Sequence, residues 1–316
     1  MFEFKNTLSG CMENKRSHFA CRQKKIKNKG ELNMVSSNTI VAIFVTLFIA
    51  LILPIIVAVV YSIKNKGKGI WKAWLLGAAG FFVLQMVIRT PILTAVSVLP
   101  SFTEFVTNHY AIYCFILALT AALFEVIARF GVAKILQKEI CYEKALAAGL
   151  GHGGIESMLL IGMTYINNLL YTIMINTGSF DLMVAQAGAS AGLTQEQMAQ
   201  LTGIKDALVE TGSSAFYLAG YERILTMICH TAMSLLVCYF VYKKKAVLGV
   251  GIAFVVHFCM DFVAPLVNGM ATEYLGNRLS QNTAYIIIYS FLTLVTVGCV
   301  VVIVKICKKW KFANAE

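Results

Sequence analysis

The stretch that decides the fold is residues 38–63, NTIVAIFVTLFIALILPIIVAVVYSI. It contains no Asp, Glu, Lys, Arg or His from one end to the other. An α-helix needs about 20 mostly apolar residues to cross the hydrocarbon core of a bilayer. The stretch therefore predicts a membrane-spanning helix, and similar stretches recur along the chain.

The composition of the whole chain agrees with this prediction. Hydrophobic residues make up 58% of it and charged residues only 14%, whereas a soluble domain is typically about 25% charged. Apolar segments predict spanning helices at 37–63, 73–98, 109–132, 146–176, 214–242, 246–267 and 283–304. We expect an all-α polytopic membrane protein with about seven transmembrane helices in one bundle. The fourth segment is long and glycine-rich, which is compatible with a break or a tilt within it.

The basic residues predict the orientation of these helices. Alternate loops and the C-terminal end carry lysines at Lys64, Lys66, Lys68, Lys72, Lys134, Lys138, Lys144, Lys243, Lys244, Lys245, Lys305, Lys308, Lys309 and Lys311. The opposite loops carry only Lys205 and Arg278. Because Lys and Arg are in excess on the cytoplasmic side, we expect a cytoplasmic C-terminus in a bacterial cell membrane. The net charge of +11 is explained by this topology, and nucleic acid is not an expected partner.

We predict a single transmembrane domain over 34–316, with the site helices between 109 and 267. Residues 1–33 form a basic extension whose charge conflicts with an outer start of the first helix. We expect this extension to be disordered or absent from a native chain that starts at Met34. The stretch 192–212, GLTQEQMAQLTGIKDALVETG, has helical character. It is either a short interfacial helix or a solvated connector, and the second is the simpler interpretation.

Cysteine does not indicate a disulfide framework or a redox site. There is no CxxC, and most of the nine cysteines lie inside apolar runs. In that setting cysteine behaves as a small hydrophobic residue.

Ionisable residues inside the predicted spans indicate function. Each costs roughly 2.5–3.5 kcal/mol or more in the bilayer core, so it is a functional hypothesis by default. They are Arg89, Glu125, Arg129, His152, Glu156, Glu222, Arg223, His230, His257 and Asp261. One such residue is most often structural, but that explanation does not extend easily to ten.

Spacing and depth place most of these residues in one layer. Three pairs are four residues apart and so share a helix face, namely Glu125 with Arg129, His152 with Glu156, and His257 with Asp261. At about 1.5 Å per residue, the carboxylates and imidazoles lie about 12 to 24 Å from the nearest predicted cytoplasmic lysine.

Three residues fall nearer the outer end of their helices. For Arg89, Glu222 and Arg223 an interfacial or structural ion-pair role is at least as well supported as a catalytic one.

The histidines and carboxylates in this layer suit two kinds of hydrolysis. Neutral imidazoles can hold Zn²⁺ while a glutamate acts on water. Alternatively, a glutamate and a histidine activate water without a metal, and other polar groups stabilise the oxyanion. The soluble zinc signature H-E-x-x-H is absent, so spacing alone leaves both possibilities open.

The glycines around His152 have two explanations. Gly149, Gly151, Gly153 and Gly154 leave the helix surface without side chains. This favours either close packing by neighbouring helices or a local opening of the helix, and the sequence does not separate the two.

Four motifs occur in order along the chain: FEVIAR at 124–129, GHGGIE at 151–156, ERILTMICH at 222–230 and HFCMD at 257–261. Together they resemble the YhfC-type intramembrane proteases, a branch of the superfamily of CAAX prenyl proteases and bacteriocin-processing proteases. The resemblance covers the third to sixth predicted helices and implies peptide-bond hydrolysis in or at the membrane.

The resemblance also implies roles for individual residues. Glu125 and Arg129 are similar to the superfamily's glutamate-arginine motif, although a second glutamate is missing beside Glu125. His230 and the His257–Asp261 pair are similar to its later histidine motifs. The implied catalytic residues are Glu125, Arg129 and Glu156, with either Glu125 or Glu156 activating water. The implied metal ligands are His152, His230, His257 and Asp261, which would be base or oxyanion partners without a metal.

The cofactor expected is therefore Zn²⁺, or none in a glutamic-type enzyme. Expected partners are membrane lipids and a membrane-protein, lipopeptide or peptide substrate. Two alternatives remain: a proton-coupled transporter or channel, and a non-catalytic membrane scaffold. Intramembrane carboxylates and histidines also build proton relays, but the chain shows no repeated halves of the kind that transporters have.

Overall fold

The computed structural model describes residues 34–192 and 194–313, and the predicted N-terminal extension lies outside them. This part of the chain is helical and contains no strand. The helices long and apolar enough to span a membrane are α1 (Ser37–Lys64), α2 (Ile70–Ser97), α4 (Tyr110–Ile135), α5 (Tyr142–Asn176), α8 (Ser213–Tyr242), α9 (Ala246–Gly269) and α10 (Gln281–Ala313). Three shorter helices are α3 (Pro100–Asn108), α6 (Phe180–Ala191) and α7 (Gln195–Glu210).

The prediction of an all-α membrane protein with seven spanning helices is confirmed. The cytoplasmic position of the C-terminus stays a prediction. Large apolar side chains are exposed along the spanning helices, among them Phe44, Ile55, Val87 and Leu294. Apolar exposure on this scale is typical of a surface that meets lipid.

Helix boundaries differ from the prediction mainly where polar residues continue a helix. The last helix extends from the predicted residue 304 to Ala313 and so includes its terminal lysines. Lysines near a helix C-terminus interact favourably with the helix dipole. The segment between the fourth and fifth predicted spans, residues 177–213, is mostly helical where it is described. Helix α7 in this segment begins with a capping box formed by Thr194 and Gln197.

Three spanning helices contain π-helical turns, at Phe48–Ile52 in α1, Phe82–Arg89 in α2 and Ser157–Gly162 in α5. Such turns insert an extra residue into an α-helix and are frequent at functional sites. In α5 the π-helical turn starts directly after Glu156, whereas the glycine-rich part before it is regular α-helix.

The chain forms two compact units, and it passes from one to the other within α1, α5 and α8. Of the described residues, the first unit contains 34–48 and 160–220, and the second contains 49–159 and 221–313. In the first unit, Asn176 exchanges two hydrogen bonds with the backbone of Val35, at 2.8 and 3.1 Å. Every candidate site residue lies in the second unit. The predicted single domain over 34–316 stays a prediction.

In the second unit, glycines let α5 pack closely on both sides. A Cβ on Gly149 would lie 2.6 Å from the Thr231 Cα of α8, and a Cβ on Gly151 would lie 1.9 Å from the Trp74 carbonyl oxygen of α2. Real Cβ atoms do not approach other atoms this closely, so these positions require glycine. Of the two explanations for the glycines, close packing matches the structure.

Ion pairs join the start of α2 and the loop before it to the loop between α4 and α5 and to the start of α5. Glu139, between α4 and α5, accepts hydrogen bonds from Lys144 at 2.6 Å and Lys72 at 2.5 Å. These two contacts lower the pKa of its exposed carboxyl to about 2. Lys68 forms a further ion pair with Glu143. The predicted cytoplasmic lysines Lys68, Lys72 and Lys144 therefore also form ion pairs between neighbouring segments.

The close approach at Gly151 leads to a stability prediction. The variant Gly151→Ala should lose about 1–3 kcal/mol because α5 and α2 must move apart to admit the methyl group. The matched control is Gly131→Ala, at an exposed position of α4 where a Cβ meets nothing within 4 Å. It should be neutral or gain up to about 1 kcal/mol from helix propensity. Thermal unfolding in detergent micelles measures both, and equal midpoints would contradict the packing argument.

Candidate active site

The predicted site residues lie on four helices of the second unit. Glu125 and Arg129 are on α4, His152 and Glu156 on α5, His230 on α8, and His257 and Asp261 on α9. All except Asp261 are buried, and 27% of the Asp261 side chain is exposed. The His152 and His230 ring centroids are 5.5 Å apart, and those of His230 and His257 are 5.2 Å apart. The structure therefore brings these side chains into one buried polar cluster.

Glu125 is at the centre of the cluster and accepts from several helices. Its Oε2 lies 2.9 Å from Arg129 Nη2 and 3.0 Å from His152 Nε2. Its Oε1 accepts a 2.7 Å hydrogen bond from Gln85 Nε2 and lies 3.4 Å from His257 Nε2. Both carboxylate oxygens are thus occupied by protein donors.

His230 is held between Arg129 and Glu156. Its Nδ1 is 2.7 Å from Arg129 Nη2, and its Nε2 is 3.0 Å from Glu156 Oε2. A guanidinium group only donates hydrogen bonds, so Nδ1 accepts. In the neutral ring the proton is then on Nε2, on the side of Glu156. The contact with Arg129 therefore sets the tautomer of His230.

Glu156 differs from Glu125 because its oxygens are weakly engaged. Oε1 is 3.5 Å from Arg223 Nη1. Oε2 is buried and has no hydrogen-bond partner of suitable geometry among the described residues, although His230 Nε2 is near. Arg223 itself pairs with the neighbouring Glu222, whose Oε2 lies 3.5 Å from the Tyr289 hydroxyl. Glu156 is thus a buried carboxyl group whose Oε2 is free to accept a hydrogen bond.

The His257–Asp261 pair lies on the other side of Glu125. His257 Nε2 is 3.2 Å from Asp261 Oδ2 and 3.4 Å from Glu125 Oε1. Both neighbours are acceptors, which places the proton of a neutral ring on Nε2. His257 Nδ1 is buried and finds no hydrogen-bond partner in the described part of the chain.

Gln85 is a part of the cluster that the sequence reasoning missed. It lies in the π-helical turn of α2 and donates to Glu125 Oε1, while its own Oε1 accepts from Arg89 Nη1 at 3.2 Å. Because arginine only donates and the carboxylate accepts, the orientation of the amide is fixed. Arg89 also donates to the Leu117 carbonyl oxygen at 2.8 Å and to Thr120 Oγ1 at 3.2 Å. Arg89 is therefore buried and anchors Gln85, which is consistent with the structural role considered for it.

The atoms best placed for a metal come from four residues. Glu125, His152, Glu156 and His230 each offer a ligand atom, and these atoms lie within 4.8 Å of one another. This set shares two histidines with the predicted ligands and replaces His257 and Asp261 by the two glutamates. Imidazole nitrogens and carboxylate oxygens are ligands that zinc accepts, and two carboxylates would balance a divalent charge. The donor set fits such an ion once the proton of His230 Nε2 moves to Nδ1, which would open the contact between Nδ1 and Arg129 Nη2.

Comparison with known proteins gives one family. The model of the YhfC intramembrane metalloprotease family matches residues 49–277. The chain belongs to that family. The matched region contains every residue of the polar cluster. An uncharacterized membrane protein YhfC of Bacillus subtilis (strain 168) is 27% identical over 213 residues, which are 67% of this chain and 79% of that protein. No solved structure matches the chain.

The YhfC family match confirms part of the resemblance seen in the sequence. It confirms the family and a multi-pass membrane protein. Membership of the wider superfamily of CAAX prenyl proteases stays a prediction.

The position of Gln85 leads to a prediction. The variant Gln85→Leu leaves Glu125 Oε1 and Arg89 Nη1 each short of a partner, and a buried unsatisfied group costs about 1–3 kcal/mol. Its thermal unfolding midpoint in detergent should fall accordingly. The control is Gln281→Leu, which removes an exposed amide hydrogen bond to Asn268 and should change stability by less than about 0.5 kcal/mol. Equal midpoints for the two variants would contradict the structural role of Gln85.

Proposed function

We propose that the chain is an intramembrane endopeptidase of the metallo type, in which Glu156 removes the proton from the attacking water. The observation that supports this is the difference between the two buried glutamates. Both oxygens of Glu125 are engaged by hydrogen bonds with Gln85, Arg129 and His152, and His257 Nε2 lies 3.4 Å from Oε1. Glu156 Oε2 accepts no hydrogen bond from the described residues. A general base needs an accessible lone pair within hydrogen-bond reach of the proton it takes.

The other residues then have distinct tasks. Glu125 organises the site by fixing Arg129, His152 and His257. In the metal-free alternative, His230 carries its Nε2 proton towards Glu156, where it can donate to an oxygen that becomes negative during attack on a carbonyl. With an ion bound, this nitrogen would be a ligand instead. Because the cluster is buried, these charges and dipoles act in a low-dielectric environment, where their effect on a developing charge is large.

A divalent ion fits the same cluster. Glu125, His152 and His230, three of the four residues whose ligand atoms lie within 4.8 Å of one another, would hold it, which leaves Glu156 as the base. The ion would supply a Lewis acid that polarises the substrate carbonyl and acidifies water. Without the ion, the glutamic-type alternative uses the same base and the same imidazole donors. The substrate class proposed is a peptide bond of a membrane protein or a membrane-associated peptide.

Replacing each glutamate separately tests the assignment of the base. Glu156→Gln should lower kcat by about 10²–10⁴-fold, the usual contribution of a general base. The fold should be retained, because Arg223 keeps its ion pair with Glu222. Glu125→Gln should instead lower stability by about 3–5 kcal/mol, because no other carboxylate in the described chain pairs with Arg129.

The assay for both variants is cleavage of fluorescence-quenched transmembrane peptides in proteoliposomes, with thermal unfolding measured on the same preparations. Full activity of Glu156→Gln would exclude it as the base. Solute or ion flux that persists in both variants, without any cleavage, would favour the transporter alternative.

Metal content is the second test. Purified protein should contain zinc or a similar divalent ion in a stoichiometric amount, and His152→Ala should lose most of it because an imidazole ligand is gone. The control is His109→Ala, which removes an exposed histidine outside the cluster. Inductively coupled plasma mass spectrometry of the detergent-purified proteins measures the metal content of both variants. Absence of stoichiometric metal, together with cleavage that resists chelators, would favour the glutamic mechanism.

A further inference from the structure

A small cavity lies beside the polar cluster, and nothing in the proposed chemistry uses it. It measures about 10 Å³ and is lined by Arg129, His152, Ser234 and Cys238 together with apolar residues of α2, α4 and α5. A buried water needs about 10–15 Å³. The cavity is therefore of the size that holds a single water molecule.

Two of the residues that line this cavity carry a buried polar atom without a partner. Arg129 Nε and Ser234 Oγ find no hydrogen-bond partner among residues 34–192 and 194–313, and the two residues are only 3% and 4% exposed. The terminal Nη2 of Arg129 already donates to Glu125 and His230, whereas Nε has no acceptor. An unsatisfied buried donor costs about 1–3 kcal/mol. Ordered water is the usual partner of such groups.

The cavity lies on one definite side of the cluster. Arg129 follows Glu125 by four residues, Ser234 follows His230 by four, and the lining residue Ala148 precedes His152 by four. Four residues are slightly more than one turn, or about 6 Å along a helix. Each step leads towards the ends of α4, α5 and α8 that carry Lys134, Lys144 and Lys243. The cavity thus adjoins the cluster on its lysine-rich side, which is the predicted cytoplasmic side.

We propose that this cavity is a water-binding site in which Arg129 Nε donates to one ordered water and Ser234 Oγ holds the same water. Peptide hydrolysis consumes one water per bond cleaved. A water held here would be the reserve from which the site is refilled from the lysine-rich side. This role in supply rests on the proposed protease function, whereas the binding of water does not.

Hydroxyl-radical labelling tests the binding of water directly. Radiolysis turns a bound water into a radical that oxidises the nearest side chains, which mass spectrometry then identifies. Cys238 lines the cavity. Cys229 lies on the same helix and does not line it, and the two are 1% and 0% exposed. In nanodiscs, Cys238 should be oxidised several-fold faster than Cys229.

Variants at Ser234 make the test specific to this site. Ser234→Val fills the cavity, and its Cys238 labelling should fall to the level of Cys229. Ser234→Ala removes one partner of the water with little change in volume and should lower the labelling too, which covers the case that the valine variant does not fold. Thr231→Val is the control, because the Thr231 hydroxyl bonds within its own helix to the Met227 carbonyl oxygen. It should leave the labelling of Cys238 unchanged.

Two results would overturn the site. One is equal labelling of Cys238 and Cys229 in the unaltered protein. The other is faster labelling of Cys238 that neither Ser234 variant reduces. If the supply role also holds, Ser234→Val lowers kcat several-fold with KM unchanged. Faster labelling of Cys238 without any proteolysis would support the water site and contradict the protease function. Proteolysis that needs Glu156, with equal labelling of Cys238 and Cys229, would support the protease function and contradict the water site.

Discussion

A buried carboxylate inside a membrane protein has no bulk water to solvate it, so the protein itself must supply its hydrogen-bond donors. Glu125 meets this requirement with donors from α2, α4 and α5, and His257 of α9 lies 3.4 Å from its Oε1. Arg129 extends the network to His230 on α8. The positions of five helices therefore depend on one carboxyl group, and the geometry of the candidate active site follows from satisfying it.

The two acidic residues of the cluster have different surroundings, which gives them different uses. Glu125 is enclosed by donors and resembles a structural ion-pair centre. Glu156 follows a glycine-rich helical stretch and precedes a π-helical turn. Its Oε1 lies 3.5 Å from Arg223, which pairs with Glu222, and its Oε2 lies 3.0 Å from His230 Nε2. Separation of two titratable groups by environment is how enzymes divide an organising role from a proton-transfer role.

The sequence predicted the seven spans because apolar length is a direct requirement of the bilayer. It also predicted that Glu125 and Arg129 share a face, because i,i+4 spacing fixes this within a helix. It could not show that His152 turns to Glu125 while Glu156 turns to His230, since depth gives the layer of a residue but not its direction around the helix axis. Gln85 was missed because a search for ionisable residues passes over amides. The helix α7 was weakly indicated and α6 was not predicted, since neither carries a long apolar run.

The π-helical turn of α2 has a consequence for how this chain tolerates insertions and deletions. Gln85 and Arg89 both lie within Phe82–Arg89, and successive α-helical residues differ by about 100° around the axis. Deleting one residue between Trp74 and Gln85 would rotate both side chains by this angle relative to Trp74 and its contact with Gly151. Their polar groups would then turn away from α4. Length in this helix is therefore constrained as strictly as residue identity, even where the deleted residue is an exposed valine.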